Sequence, residues 1–250
     1  MKTVAFHHII DKNVGDFWCT PTHYYHFGHH IVRDLFEPTP EADALIVGGG
    51  KTLRKSIDRI NDFADGVKPT IVWGSSLSGV NKHSIHYRYF KEIVNLVGIR
   101  DFNLTKHWDF LPCVSCKHTV FDNAREPEHD VVFFKHGGKS SGIDFPDHIP
   151  TLSNNETTME EVISFIASGK TVVSNSYHGN YWAMLLGKKV LCLPFNDKFD
   201  GFEIPPKMTT KAEWQNDIQH ATEYAGAGLL EKYRRLNDQF YDKVMTLIDS

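Results

Sequence analysis

Apolar positions along the chain repeat with two periods, one of strands and one of helices, and they alternate from the first residues onward. Residues 3 to 9, TVAFHHI, mix β-branched and aromatic side chains and end at DKNVGD, a turn-rich stretch that opens a helix. Residues 42 to 50, ADALIVGGG, form a short apolar strand running into three glycines. The helix after it carries Leu53, Ile57, Ile60 and Phe63 at helical spacing. PTIVWGSS (69 to 76) reads as a third strand, and YFKEIVNLVGIRDFNL (89 to 104) as a helix passing into a strand at about Val97.

The apolar pattern breaks at FDNAREPEHD (121 to 130), where Pro127 sits among charges. A domain boundary is expected there, dividing the chain into residues 1–125 and 126–250. VVFFKHGGKSSG then starts a strand and loop, and IPTLSNN another. A helix follows from about Thr158, with Met159, Val162, Ile163 and Ile166 on one face. Thr157 and Glu160 fit a capping box at its start and Gly169 a stop at its end. Residues 171 to 175, 178 to 187 and 189 to 193 read as strand, helix and strand. Leu229, Leu230, Tyr233, Leu236, Phe240, Val244 and Leu247 mark a long amphipathic helix. This helix either folds back onto the first domain or touches a membrane surface. The alternation predicts an α/β protein with two Rossmann-like, doubly wound domains facing a cleft.

Composition narrows the chemistry. With 41% apolar and 23% charged residues and no apolar run long enough for a membrane span, the chain reads as a cytoplasmic protein without a signal-like start. A net charge of -4 with scattered lysines and arginines gives no footprint for nucleic acid. Cys113 and Cys116 have C-x-x-C spacing with His118 nearby, but the partners of a four-ligand zinc site are missing. No metal and no cofactor are therefore expected, and the cysteines read as structural or incidental. There is no G-x-G-x-x-G and no Walker loop.

In parallel sheets, ligands gather at the carboxyl ends of strands, where helix N-termini offer free N–H groups. Five polar clusters fall at such positions. Asn13, Gly15 and Asp16 read either as a capping turn or as contacts to a substrate hydroxyl. Gly48, Gly49 and Gly50 serve close packing or close approach of a ligand. Gly74 to Ser76 is a third. Lys135, His136 and Lys139 form either a solvated loop or a cradle for an anion. The stretch SNSYHG, holding Ser174, Ser176, His178 and Gly179, sits where a buried strand gives way to a helix. Arg100 either pairs with Asp101 or forks onto a phosphate or carboxylate.

NVGD after the first strand, LIVGGG after the second, GIRD, and VVSNSYHGNYWAMLLGKKVLCLPFNDK resemble, in that order, the polysaccharide pyruvyltransferase family. FLPCVSC (110 to 116) resembles the ketal pyruvyltransferases that decorate xanthan-type exopolysaccharides. The resemblance implies a fold like that of B-type glycosyltransferases, with phosphoenolpyruvate as donor and a sugar of a bacterial glycan or lipid-linked oligosaccharide as acceptor. It further implies a pyruvate ketal as product and a cytoplasmic enzyme, peripheral at most to the inner membrane face. On this basis His178 is the general acid and Asp16 the base. Arg100, Lys135, His136, Lys139, Ser174, Ser176, Gly179 and Lys198 hold the donor; Asn13, Gly15 and the three glycines face the acceptor. Many family members carry arginine at the position of Ser176. Two other readings stay open: a nucleotide-sugar glycosyltransferase using Glu203 on a ribose, and a glycan-binding protein using its tryptophans and tyrosines.

Overall fold

The structure, a computed structural model, describes residues 2–50, 53–64, 67–77, 92–123, 125–155 and 157–250. Residues 89–91 of the predicted helix lie outside the described residues. Elsewhere the alternating pattern is followed closely.

The first half contains β1 (Thr3–His8), α1 (Val14–Phe17), β2 (His29–Asp34), β3 (Ala44–Gly48), α2 (Leu53–Phe63), β4 (Thr70–Ser75), β5 (Leu96–Ile99) and β6 (Asp109–Phe110). The strands form one parallel sheet in the order β2-β1-β3-β4-β5-β6. Strand alternation sorts Ala5, Leu45, Val47 and Val72 to one face, and Val4, Phe6, Ile46, Ile71 and Trp73 to the other. Both faces are covered, as continuous apolar runs in a parallel sheet require. β2 was absent from the sequence reading. Its HHIVRD is an edge strand that is nowhere fully buried, so it lacks the apolar run of its neighbours.

The second half contains β7 (His129–Lys135), β8 (Thr151–Ser153), α3 (Met159–Ala167), β9 (Gly169–Ser174), α4 (Tyr177–Leu185), β10 (Lys189–Cys192), β11 (Lys207–Met208), α5 (Trp214–Asp217), β12 (Thr222–Glu223) and α6 (Leu229–Asp249). Its parallel strands run β11-β10-β9-β7-β8, with β12 antiparallel on β10. The winding is that of the first sheet. In each, the first strand lies between its second and third, so crossovers leave in opposite directions and open a crevice at the carboxyl ends.

Two local expectations shift. The capping box uses Thr158 and Glu161, one residue later than predicted: Thr158 Oγ1 accepts from Glu161 N while the Glu161 carboxylate accepts from Thr158 N. Gly169 does not end the helix but begins β9. A Cβ there would lie 2.6 Å from a Val132 methyl, so strand packing accounts for the glycine.

α6 spans the two halves. Leu229 and Tyr233 join a core with Phe134, Trp182 and Cys113, while Phe240, Val244 and Ile248 pack with Phe6, Ile46, Trp73 and Leu111 of the first sheet. Buried Asn237 marks the crossing: its Oδ1 accepts from Trp73 Nε1 and its Nδ2 donates to Pro112 O. No helix among the described residues is long and apolar enough to cross a membrane.

Candidate functional site

The crevices of the two sheets meet, and the link is backbone. Asn13 forms an isolated antiparallel bridge with Asn155, and Val14 N donates to Asn154 O. The loop after β1 is thereby held against the loop after β8.

The polar stretch from Ser174 to Asn180 is hydrogen-bonded largely within itself, Asn180 Oδ1 being buried without a partner. Ser174 Oγ donates to Phe134 O and accepts from Ser176 N. Ser176 is the N-cap of α4, its Oγ accepting from Gly179 N, and Asn180 Nδ2 donates to the carbonyls of Ser174 and Ser176. Asn175 reaches the other way. Its Oδ1 accepts from His136 N and its Nδ2 donates to Lys139 O and Ser140 Oγ, fixing the loop after β7. These residues brace the strand-to-helix turn.

His178 is turned to the first half. Its ring stacks on Trp182 with centroids 5.2 Å apart, and Trp182 is pinned by its Nε1 donating to Ser115 Oγ. The Nδ1 edge abuts Gly15: a Cβ on Gly15 would fall 2.5 Å from Cγ and 2.9 Å from Cε1, and closer still to Nδ1. Nε2 lies 3.6 Å from Cys113 Sγ. The imidazole is 6% exposed, and burial, then the charges of Arg100, Lys198 and His136, hold its pKa well below the usual range. That shift favours the neutral imidazole.

Arg100 follows β5 and is 3% exposed. Its guanidinium lies 4.0 Å from the centre of the Tyr177 ring, and its Nε and Nη1 have no hydrogen-bond partner. The simple pairing with Asp101 is not what holds it: the Asp101 carboxylate accepts from Ser76 Oγ at 2.8 Å and Leu77 N at 2.6 Å. A buried cation with orphaned donors is costly to a fold and is the mark of a place for an anion.

Lys198 sits over the rings of Phe195 and Phe199, and its charge lowers the pKa of both His178 and His136. Lys139, in the loop held by Asn175, lowers that of His136 too, after burial and Lys198. Asp16 is half-buried in α1, beside Gly15. His178, Gly15, Asp16, Arg100, His136 and Lys198 therefore share one neighbourhood.

Other sequence candidates have different work. Lys135 lies over the Phe145 ring, on the face of β7 that carries Phe133, opposite Phe134; strand alternation turns it from the cleft. Ser174 and Ser176 are caps and braces. Gly179 is glycine because a Cβ would meet Phe134 and Ser174 Oγ inside van der Waals contact. Gly48 packs on the Trp73 carbonyl and Gly49, at φ 80°, on Cys19, so packing accounts for these two, while buried Gly50 has φ 70°, in the left-handed region glycine favours. Asn13 caps α1 through Gly15 N. Glu203 is engaged by Lys232 and by Tyr233.

Cys113 is the residue the sequence reading passed over. Its carbonyl accepts from Tyr181 OH at 2.7 Å and its thiol lies 3.2 Å from Ser115 Oγ. Burial raises its pKa, opposed by the Ser115 contact and by Arg100. A depression lined by Asp130, Lys170, Lys188, Lys189 and Glu223 lies at the amino ends of the second sheet, away from this chemistry.

The chain matches no protein-family model and no curated protein. Among solved structures it is similar to a functionally uncharacterised protein of Klebsiella pneumoniae subsp. pneumoniae NTUH-K2044. The two are 17% identical with a TM-score of 0.51, over 79% of this chain and 85% of that one. The likeness is one of fold: an α/β chain with two mostly parallel, Rossmann-like sheets.

Proposed function

We propose that the chain is a transferase that moves the pyruvyl group of phosphoenolpyruvate onto two hydroxyls of a sugar, forming a ketal and releasing phosphate. The carrying observation is Arg100: a buried guanidinium with two orphaned donors, facing the helix N-terminus that bears His178. A small, multiply charged donor supplies what Arg100 lacks, and Lys198 and Lys139 add positive field on the same side. On this reading the two halves are arranged as in B-type glycosyltransferases, the first presenting the acceptor and the second the donor.

His178 acts on the enol carbon. Its lowered pKa rises and it takes up a proton when the anionic donor offsets Arg100 and Lys198, and it delivers that proton to C3. C2 becomes electrophilic, a sugar hydroxyl adds, phosphate leaves under stabilisation by the cations, and a second hydroxyl closes the ketal. Asp16, one residue from the glycine that abuts His178, accepts the hydroxyl proton.

A nucleotide-sugar donor is less well supported. The carboxylate that would hold its ribose, Glu203, is taken up by Lys232 and Tyr233 of α6. Thermal shift decides between them. Phosphoenolpyruvate at 100 times its dissociation constant adds about 2.7 kcal/mol and raises the midpoint by roughly 5 to 10 °C. A shift with UDP- or GDP-sugars and none with phosphoenolpyruvate sinks the proposal.

A further inference from the structure

The FLPCVSC stretch supplies more of this site than its cysteines alone suggested. Cys113 Sγ lies 3.6 Å from His178 Nε2, the Cys113 carbonyl is held by Tyr181 OH, and Ser115 fixes the indole on which His178 stacks. The two cysteines have unlike surroundings: Cys116 Sγ accepts from Asn237 Nδ2 at the α6 crossing. C-x-x-C spacing here is not a shared site; only Cys113 faces the imidazole. A nucleophile within reach of a base, the base oriented by a third group, is the arrangement nucleophilic catalysis needs. Burial raises the thiol's pKa overall, and Arg100, with its orphaned donors, works against that rise.

We propose that Cys113 is a second catalytic residue, a thiol that adds to C2 of the enolpyruvyl donor with His178 as its proton partner. The inference rests on the donor reading above and goes beyond it. His178, protonated on donor binding, gives its proton to C3 and takes the thiol proton in its place; the π pair of the C2=C3 bond becomes the new C3–H bond, and sulfur supplies the pair that bonds to C2. C2 then carries sulfur, the phosphate ester oxygen, a methyl and the carboxylate. The first sugar hydroxyl replaces phosphate, which departs with the C–O pair and receives the hydroxyl proton by way of Asp16. The second replaces the thiolate, which recovers its proton through His178. No oxidant or reductant is consumed.

The test mixes the purified protein with phosphoenolpyruvate and no acceptor, quenches in acid, and reads intact and peptide masses. The expected result is a mass gain of one donor molecule on the peptide containing Cys113, absent from Cys113→Ala. Phosphate release with acceptor falls on the order of 10²-fold or more in Cys113→Ala and Cys113→Ser, while both keep the donor-induced thermal shift. A wild-type protein that is shifted by the donor yet forms no adduct overturns the thiol step and leaves the donor reading standing. Turnover of Cys113→Ala within a few-fold of wild type does the same. Absence of any donor shift overturns both. Should the alanine variant fail to fold, the wild-type adduct mass alone decides.

Discussion

Replacing Gly15 with alanine puts a methyl group where the His178 ring now rests. The added carbon would lie 2.5 Å from Cγ and 2.9 Å from Cε1, whereas ordinary contact begins near 3.4 Å. The ring must therefore retreat by roughly 1 Å, and displacements of that size cost about 10²-fold in rate when they fall on a catalytic group. Retreat is obstructed, because the opposite side of the ring environment is Trp182 and the thiol of Cys113. Overpacking of this kind costs about 1–3 kcal/mol, of which helix propensity in α1 returns up to about 1 kcal/mol. The net cost, about 0–3 kcal/mol, lowers the thermal midpoint by up to about 12 °C, small enough to leave a folded protein. The assay pairs phosphate release with a melting curve. A folded Gly15→Ala protein with turnover within threefold of wild type refutes the placement of His178 at the reacting centre.

Arg100→Met should raise the midpoint of the ligand-free protein by about 2–4 °C for each kcal/mol of relieved desolvation, and abolish the shift caused by phosphoenolpyruvate; a stabilised variant that still responds to the donor contradicts the anion role. Ser176→Ala removes the α4 cap, whose Oγ faces Gly179 N, and should cost about 1 kcal/mol while donor binding survives, as read by denaturant melts with and without phosphoenolpyruvate. For His178 the folded pKa lies well below 6.5, so the unfolded chain binds the extra proton; stability is held above pH 6.5 and declines as the pH falls below it, in concert with His7, His8, His23, His118 and His136, all shifted the same way mainly by burial. Donor binding should reverse this locally by taking up a proton, seen as a buffer-dependent enthalpy in titration calorimetry; equal enthalpies in buffers of unlike ionisation heat would remove His178 as the group that charges.

What was legible in the sequence was whatever repeats along it. Apolar runs followed by turn residues located β1, β3, β4, β5, β7, β9 and β10, and with them the α/β class. β2 was lost because an edge strand buried on neither side has no such run. Lys135 was assigned to the cleft from its loop neighbourhood, although its parity with Phe133 rather than Phe134 already placed it on the other face of β7. Ser174, Ser176 and Gly179 were visible as a knot but not as a brace, since their partners are the backbone of Phe134 and of one another. Cys113 could not be found by spacing at all. Its meeting with His178 joins positions 65 residues apart, and only the apposition of two sheets brings them together.

α6 makes the first half dependent on a segment synthesised after the second sheet. Phe240, Val244 and Ile248 fill the core beside β1, β3 and β4, so that core stays open on a nascent chain until residues 229–249 have emerged. The strands of the second sheet are complete by residue 223, but its core takes Leu229 and Tyr233 from the start of the same helix. Both cores therefore close only once α6 has emerged, although synthesis usually favours early folding of the amino-terminal unit. Arg100, carried at the end of β5 and lying over the Tyr177 ring, acquires its final surroundings only after the second sheet has formed.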